Sequence, residues 1–212
     1  DFCDKKLPYL NDINTKFIIN IAGSSMEEYV KVLDILEKQN SNHVGYEINI
    51  SCPNVKEGGM EFGVNEDMTY KLTKKLRAST NKILIMKLSP NVTNIEKIAL
   101  ASESGGADAV SAVNTFVGMA IDYKTGNIIL STTFGGLSGP AIKPMAIAKV
   151  HKIFKKIKIP IIGMGGISNL KDVVEFLRVG SSAVQIGTLN YRDPSISARI
   201  YNELESFLKN NK

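Results

Sequence analysis

The chain has 212 residues, 43% hydrophobic and 22% charged, the size and make-up of one ordinary globular domain with a single core. Nothing approaches the roughly 18 consecutive apolar residues of a membrane span, and no signal-peptide pattern opens the chain, so a cytoplasmic protein without membrane association is expected. The net charge of +5 does not imply nucleic acid, because the densest basic run, Lys152 to Lys158, alternates with Ile153, Phe154 and Ile157 as a solvated helix face does. Trp is absent and no aromatic–basic interleaving offers a base-stacking platform.

Short apolar runs alternate along the chain with polar turns and helical stretches. Phe17 to Ile21 is the first predicted strand. Ser25-Met-Glu-Glu28 follows as a capping box, and Met26, Tyr29, Val30, Leu33 and Leu36 make an apolar helix stripe. Val44 to Ile50 is the second strand, after which Asn65 caps a helix marked by Met68, Leu72 and Leu76. Ile83 to Leu88 is the third. Thr93-Asn-Ile-Glu96 reads as another capping box, with its helix ending at Gly105-Gly106. Ala107 to Val113 is the fourth strand. Residues 116 to 140 break the rhythm with two apolar runs around Lys124-Thr-Gly126, a hairpin excursion. Pro144 opens the next helix, at its first position. Pro160 to Met164 and Ala183 to Ile186 are the last strands, separated by a helix from Asn169 to Leu177 that Gly180 closes. Asp193-Pro194 caps a final helix with Ile196, Ile200, Leu204 and Leu208 on one face.

Strands alternating with helices imply a parallel sheet with right-handed crossovers. An open sheet can stop at six such units, whereas an eight-fold barrel cannot. The fold expected is an α/β class (β/α)8 barrel forming a single domain over residues 1–212, with about two βα units lying upstream of Asp1.

Every chemistry-bearing stretch sits just after a strand, where α/β sheets and barrels place their ligands. Asn49-Ile-Ser-Cys-Pro-Asn54 puts a thiol between two amides, which can anchor a flat polar heterocycle beside a general base. Two cysteines, Cys3 and Cys52, make no disulfide framework, and Cys3 is expected to be a packing or surface residue. Lys87 ends an otherwise apolar strand, and a lysine pointing into a barrel needs an anionic partner. A flavin edge that becomes negative on reduction meets that need, and a lysine snorkelling at the rim is the plainer reading. Asn114-Thr115 ends the next strand. Gly163-Met-Gly-Gly166 and Gly187-Thr188 follow the last two strands, the usual phosphate position of barrels, where glycine lets backbone N–H groups approach closely. Gly135-Gly136 and Ser138-Gly-Pro140 form either a further cradle or a hairpin closure. His43 and His151 lie apart from the cysteines, so no metal site is expected.

Taken in order, Asn49 to Asn54, Lys87-Leu-Ser-Pro-Asn91, Asn114-Thr115, Gly135-Gly-Leu-Ser-Gly-Pro140, Gly163 to Gly166 and Gly187-Thr188 resemble dihydroorotate dehydrogenase over nearly the whole chain. The resemblance implies FMN-dependent oxidation of dihydroorotate to orotate in pyrimidine biosynthesis. Cys52 would take the proton from C5 of the substrate while hydride leaves C6 for the flavin N5. Asn49, Asn54, Asn114 and Thr115 would hold the pyrimidine. Asn20, Asn49 and Lys87 would contact the isoalloxazine or its ribityl chain, and Ser138, Gly139, Gly165, Gly166, Gly187 and Thr188 would line the phosphate site. Cys rather than Ser at position 52 implies the soluble class. Lys56-Glu-Gly-Gly-Met60 and Gly135 to Pro144 resemble its NAD-linked subclass, which implies a homodimer and a second subunit carrying FAD and a 2Fe-2S cluster. Competing readings are the pyrimidine-reducing domain of dihydropyrimidine dehydrogenase, where a histidine is expected at Asn54, a non-redox phosphate-binding barrel, and a dihydrouridine synthase.

Overall fold

A computed structural model of the protein describes residues 1–51 and 62–210. The chain opens with a π-helical turn, Phe2–Lys6, running into α1 (Leu7–Asn11). Then come β1 (Ile18–Ile21), α2 (Met26–Glu37), β2 (Gly45–Asn49), α3 (Glu66–Ser79), β3 (Ile83–Lys87), α4 (Ile95–Ser104) and β4 (Ala109–Ala112). A two-stranded excursion, β5 (Phe116–Gly118) with β6 (Gly135–Leu137), leads through a 3-10 turn at Pro140–Ile142 into α5 (Lys143–Phe154). The chain continues as β7 (Ile161–Met164), α6 (Leu170–Arg178), β8 (Ala183–Gln185), α7 (Leu189–Arg192) and α8 (Ile196–Asn210).

The main sheet of the described residues has six parallel strands in the order β1-β2-β3-β4-β7-β8. Alternation along each strand separates its two faces. Tyr46, Ile48, Leu84, Met86, Val110 and Ala112 point to one side and are fully buried against the helices, with Leu33, Leu72, Ala99, Val150 and Phe176 among their partners in the core. Burying each of the larger of these side chains is worth about 1.5–3 kcal/mol, so this convex layer is a main source of stability. The residues between them, Asn20, Glu47, Ile85, Lys87, Ser111 and Gln185, face the other way.

That second face is concave. Glu47 on β2 and Gln185 on β8 stand four strands apart in the sheet order. In a flat sheet with a spacing of about 4.8 Å they would lie about 19 Å apart. Instead Gln185 Nε2 donates to Glu47 Oε1 at 3.0 Å. The sheet is therefore curled into a partial (β/α)8-type barrel with the polar residues inside.

The helix caps follow the sequence with local changes. Ser25 accepts from the Glu28 N–H, but the Glu28 carboxylate turns to the N–H and hydroxyl of Ser24 instead of closing the box on Ser25. Asn65 and Asn169 cap α3 and α6 through Met68 and Asp172. The second predicted box does not form: α4 starts at Ile95, which makes Asn94 the N-cap, without a side-chain bond, and shifts Thr93 and Glu96 out of reciprocal spacing. Pro144 is the second residue of α5, after Lys143. No helix among the described residues is long and apolar enough to cross a membrane.

Candidate active site

A cavity of about 350 Å³ opens at the C-terminal ends of β3, β4, β7 and β8, within the size range of small-ligand sites. Lys87, Asn114 and Thr115 line one end and Ser138, Gly139, Gly165, Gly166, Gly187 and Thr188 the other. These segments lie up to about a hundred residues apart in the chain; the curl of the sheet brings them together.

The glycine end is built from backbone. Gly139, Gly165 and Gly166 take φ of +93°, +121° and +78°, a region that side chains disfavour. Gly166 also packs so closely that a Cβ there would sit 2.7 Å from the Gly139 carbonyl oxygen. The two glycine loops are thus in contact, and Thr188 Oγ1 donates to Ser138 Oγ at 2.9 Å across the same end. Arg192, exposed on α7, lines it as well. Backbone left open by glycine, paired hydroxyls and a guanidinium suit a phosphate group.

Behind this loop a buried ion network holds it in place. Asp172 is 4% exposed. Its carboxylate accepts from the Ser168 N–H at 2.8 Å, the Ser168 hydroxyl at 2.7 Å and Lys143 Nζ at 2.6 Å. Burial alone would raise the Asp172 carboxyl, but the bonds from Lys143 and Ser168 outweigh it and hold the group below its ordinary range. Lys143 also donates to Glu175 at 2.7 Å, and its two carboxylate bonds, Asp172 first, keep its ammonium charged to higher pH than usual.

The amide end is tied together by side chains. Asn114 Nδ2 donates to Asn49 Oδ1 at 3.1 Å, and the Thr115 N–H donates to Asn114 Oδ1 at 2.8 Å. Tyr29 OH donates to the Asn49 carbonyl at 2.7 Å, and Ser51 Oγ to that of Lys87 at 3.1 Å. Asn91 braces the loop from β4 to β5, donating to the Thr115 carbonyl and accepting from the Val117 N–H, both at 3.0 Å. Cys52 and Asn54, with Lys56 to Met60, lie outside the described residues; Ser51 is the last described residue before them.

Between the two ends, inside the barrel, lies a carboxylate that the sequence reading passed over. Glu47 is 6% exposed. Its Oε1 accepts from Ser111 Oγ at 2.7 Å and Gln185 Nε2 at 3.0 Å. Its Oε2 accepts from Asn20 Nδ2 at 2.6 Å and Lys87 Nζ at 3.4 Å. The anionic partner that Lys87 requires is thus present within the chain, and no ligand is needed to account for its burial. Asn20 reaches the interior through Glu47, on the register pair Asn20–Glu47, and does not line the main cavity.

Comparison with known proteins fits this geometry. The family model for dihydroorotate dehydrogenase matches residues 3–208. The chain belongs to the dihydroorotate dehydrogenase family. It is 47% identical over 208 residues to a protein of Bacteroides thetaiotaomicron named dihydroorotate dehydrogenase B (NAD(+)), catalytic subunit, covering 98% of this chain and 68% of the relative. Proteins of the same name from Geobacter metallireducens and Parabacteroides distasonis are 48% and 49% identical, over 99% and 97% of this chain. The chain spans 68% and 67% of their respective lengths. In fold it resembles the crystal structure of a DHODH from Eimeria tenella in complex with ferulenol, with a TM-score of 0.70 at 22% identity, over 89% of this chain and 57% of that one.

Set beside this family membership, the structure brings Lys87, Asn114, Thr115, Ser138, Gly139, Gly165, Gly166, Gly187 and Thr188 to one cavity, and ties Asn49 to it through Asn114. The sequence reading missed Glu47, Gln185, Arg192 and the Lys143–Asp172 pair. Glu47 carried the same signal as Lys87, a charge inside an apolar strand, and was absorbed into the run Val44 to Ile50. Arg192 and Gln185 carried no local signal, since an arginine on a helix end and a glutamine near a strand end are ordinary.

Proposed function

We propose that this chain is the catalytic subunit of an NAD-linked dihydroorotate dehydrogenase, oxidising (S)-dihydroorotate to orotate in pyrimidine biosynthesis. The observation that carries the reading is the two-ended cavity, amides and Lys87 at one end and crossed glycine loops with hydroxyls at the other. The residues fit FMN. Ser138, Gly139, Gly165, Gly166, Gly187 and Thr188 would hold its phosphate, while Asn20, Asn49 and Lys87 would lie along its ribityl chain and ring. When bound, FMN supplies the two-electron acceptor.

The chain's own groups do the rest. Asn49, Asn54, Asn114 and Thr115 hold the pyrimidine flat through paired donors and acceptors. Asn49 is already oriented, because its Oδ1 accepts from Asn114 and from the Ser51 N–H at 3.3 Å, which leaves its Nδ2 to donate. Cys52 as thiolate takes the C5 proton, leaving the electron pair to form the C5–C6 double bond as hydride departs from C6. Glu47, 6% exposed, holds Lys87 and Gln185 in place at the cavity wall.

The reading treats residues 1–212 as part of one FMN-binding barrel domain with the excursion at 116–140. It places the enzyme in the cytoplasm as a homodimer, joined to a second subunit carrying FAD and 2Fe-2S that passes electrons to NAD. The test is stopped-flow reduction of the flavin by dihydroorotate. Cys52→Ala is expected to retain FMN and slow that reduction by about 10²–10⁴-fold, the usual contribution of a general base. An unchanged rate, or a protein that neither carries nor takes up FMN, overturns the proposal.

A further inference from the structure

The clearest feature left unexplained by the reaction is Glu47. A carboxylate only accepts hydrogen bonds, and each of its oxygens has room for about two donors. Here both oxygens are filled, from Ser111 and Gln185 on one and Asn20 and Lys87 on the other. This has a geometric consequence. Asn20 and Gln185 must turn their NH2 groups inward to Glu47, so their carbonyl oxygens are left over as acceptors. Lys87 spends one proton on Glu47 and keeps two for the cavity. Gln185 and Lys87 both line that cavity. One anion therefore dictates which face Gln185 and Lys87 show to a ligand in that cavity, and it turns Asn20 the same way from the strand beside it. It also places a full negative charge 3.4 Å from the ammonium that faces the same ligand.

We infer that Glu47 is a positioning residue that sets the reduction potential of the bound flavin, orienting Lys87, Gln185 and Asn20 and offsetting the Lys87 charge. The inference rests on the reading of the cavity as an FMN site. Lys87 favours the electron-rich, reduced form of a flavin beside it, and Glu47 moderates that preference. A carboxylate serving only to tie strands together would leave the potential where it is.

The experiment is the midpoint potential of the FMN holoenzyme, read by equilibration with a reference dye in wild type, Glu47→Gln, Glu47→Asp and Ser111→Ala. Glu47→Gln keeps the shape and removes the charge. It should favour reduced over oxidised flavin on the order of tenfold, as one charge about 12 Å away does in a medium of effective dielectric near 20. That ratio is a rise of about 30 mV for a two-electron couple. Glu47→Asp keeps the charge and should stay closer to wild type than the Gln variant. Ser111→Ala withdraws a neutral donor from the carboxylate, leaves its charge less compensated, and should move the potential the other way. If Glu47→Gln does not fold, the sign of the Ser111→Ala shift decides. Wild-type potentials in the folded variants overturn the inference while the flavin reading stands. A wild-type protein that binds no FMN overturns both.

Discussion

Two carboxylates anchor polar networks around β2, Glu37 at the end of α2 beside the strand's entry and Glu47 at the strand's centre, and their partners differ in kind. At the strand's entry end, Glu37 Oε1 accepts from Tyr46 OH at 2.6 Å, Lys82 Nζ at 2.9 Å and Thr80 Oγ1 at 3.0 Å, and Tyr46 OH lies 2.7 Å from His43 Nε2. These groups all sit where α2 ends and where β2 and β3 begin, on the helix-covered side of the sheet. Glu47 instead draws its donors from β1, β3, β4 and β8, and two of them face the cavity. The lesson is positional. In barrels the N-terminal face of the strands serves stability and the C-terminal face serves chemistry; here Glu37 sits at the first, while Glu47, inside the curl, reaches the second through Lys87 and Gln185, which line the cavity.

The largest effect that would sharpen this contrast is at Tyr46, fully buried and bonded to Glu37. Tyr46→Ala should cost about 3–5 kcal/mol in urea unfolding, as deletion of a buried aromatic does, while the flavin potential of the protein that remains folded is unchanged. A shift in potential would show that the two ends are coupled.

Next is Gly166, at the other pole. Gly166→Ala forces a side chain into φ +78° with its Cβ against the Gly139 carbonyl. The strain should cost about 1–3 kcal/mol, and displacement of the two loops should weaken FMN binding, read by flavin fluorescence on titration. Loss of stability with FMN affinity unaltered would separate the glycine contact from the cofactor.

Glu37→Gln should be milder, about 1 kcal/mol, because Glu37 is a quarter exposed and its donors can turn to water. Its flavin potential should equal that of wild type, in contrast to Glu47→Gln. A shift as large as that of Glu47→Gln would abolish the distinction between the two carboxylates.

The smallest effect is a pH dependence from His43. Burial, with the Lys82 charge adding to it, pushes the imidazole below its ordinary value. His43 is then neutral in the folded protein, while the unfolded chain takes up a proton as pH falls past about 6.5. Stability from this group is complete above that pH and declines below it, by at most about 1.4 kcal/mol per pH unit. The carboxylates held low, Glu37 and Asp172, lose their contributions only at more acid pH, as protons reach them in the folded state. Urea midpoints that decline between about pH 7 and about pH 5.5 in wild type, and decline less in His43→Asn, would confirm the assignment. Identical profiles would remove it.

Much of this was legible from residue order. The strand–helix alternation, the asparagine caps at Asn65 and Asn169, and the helix ends at Gly106 and Gly180 are local events, set by a residue and its neighbours within a turn. The second capping box was misread because a one-residue shift in where α4 begins is decided by packing of Ile95, which is fully buried, and not by the motif. Lys87 was recognised as a charge in need of a partner, but its partner was sought outside the chain.

The sequence by itself determined the parallel α/β architecture, the position of Lys87, Asn114, Gly165 and Gly187 at or just after the ends of strands, and the family resemblance, because periodicity, caps and motifs are carried by short stretches. Only the tertiary structure decided that Gln185 meets Glu47 across four strand positions, that Gly166 rests on Gly139, and that Asp172 and Lys143 stand behind the phosphate loop. Those contacts depend on how tightly the sheet curls. Curl is a collective property of strand twist and helix packing, which no single segment encodes.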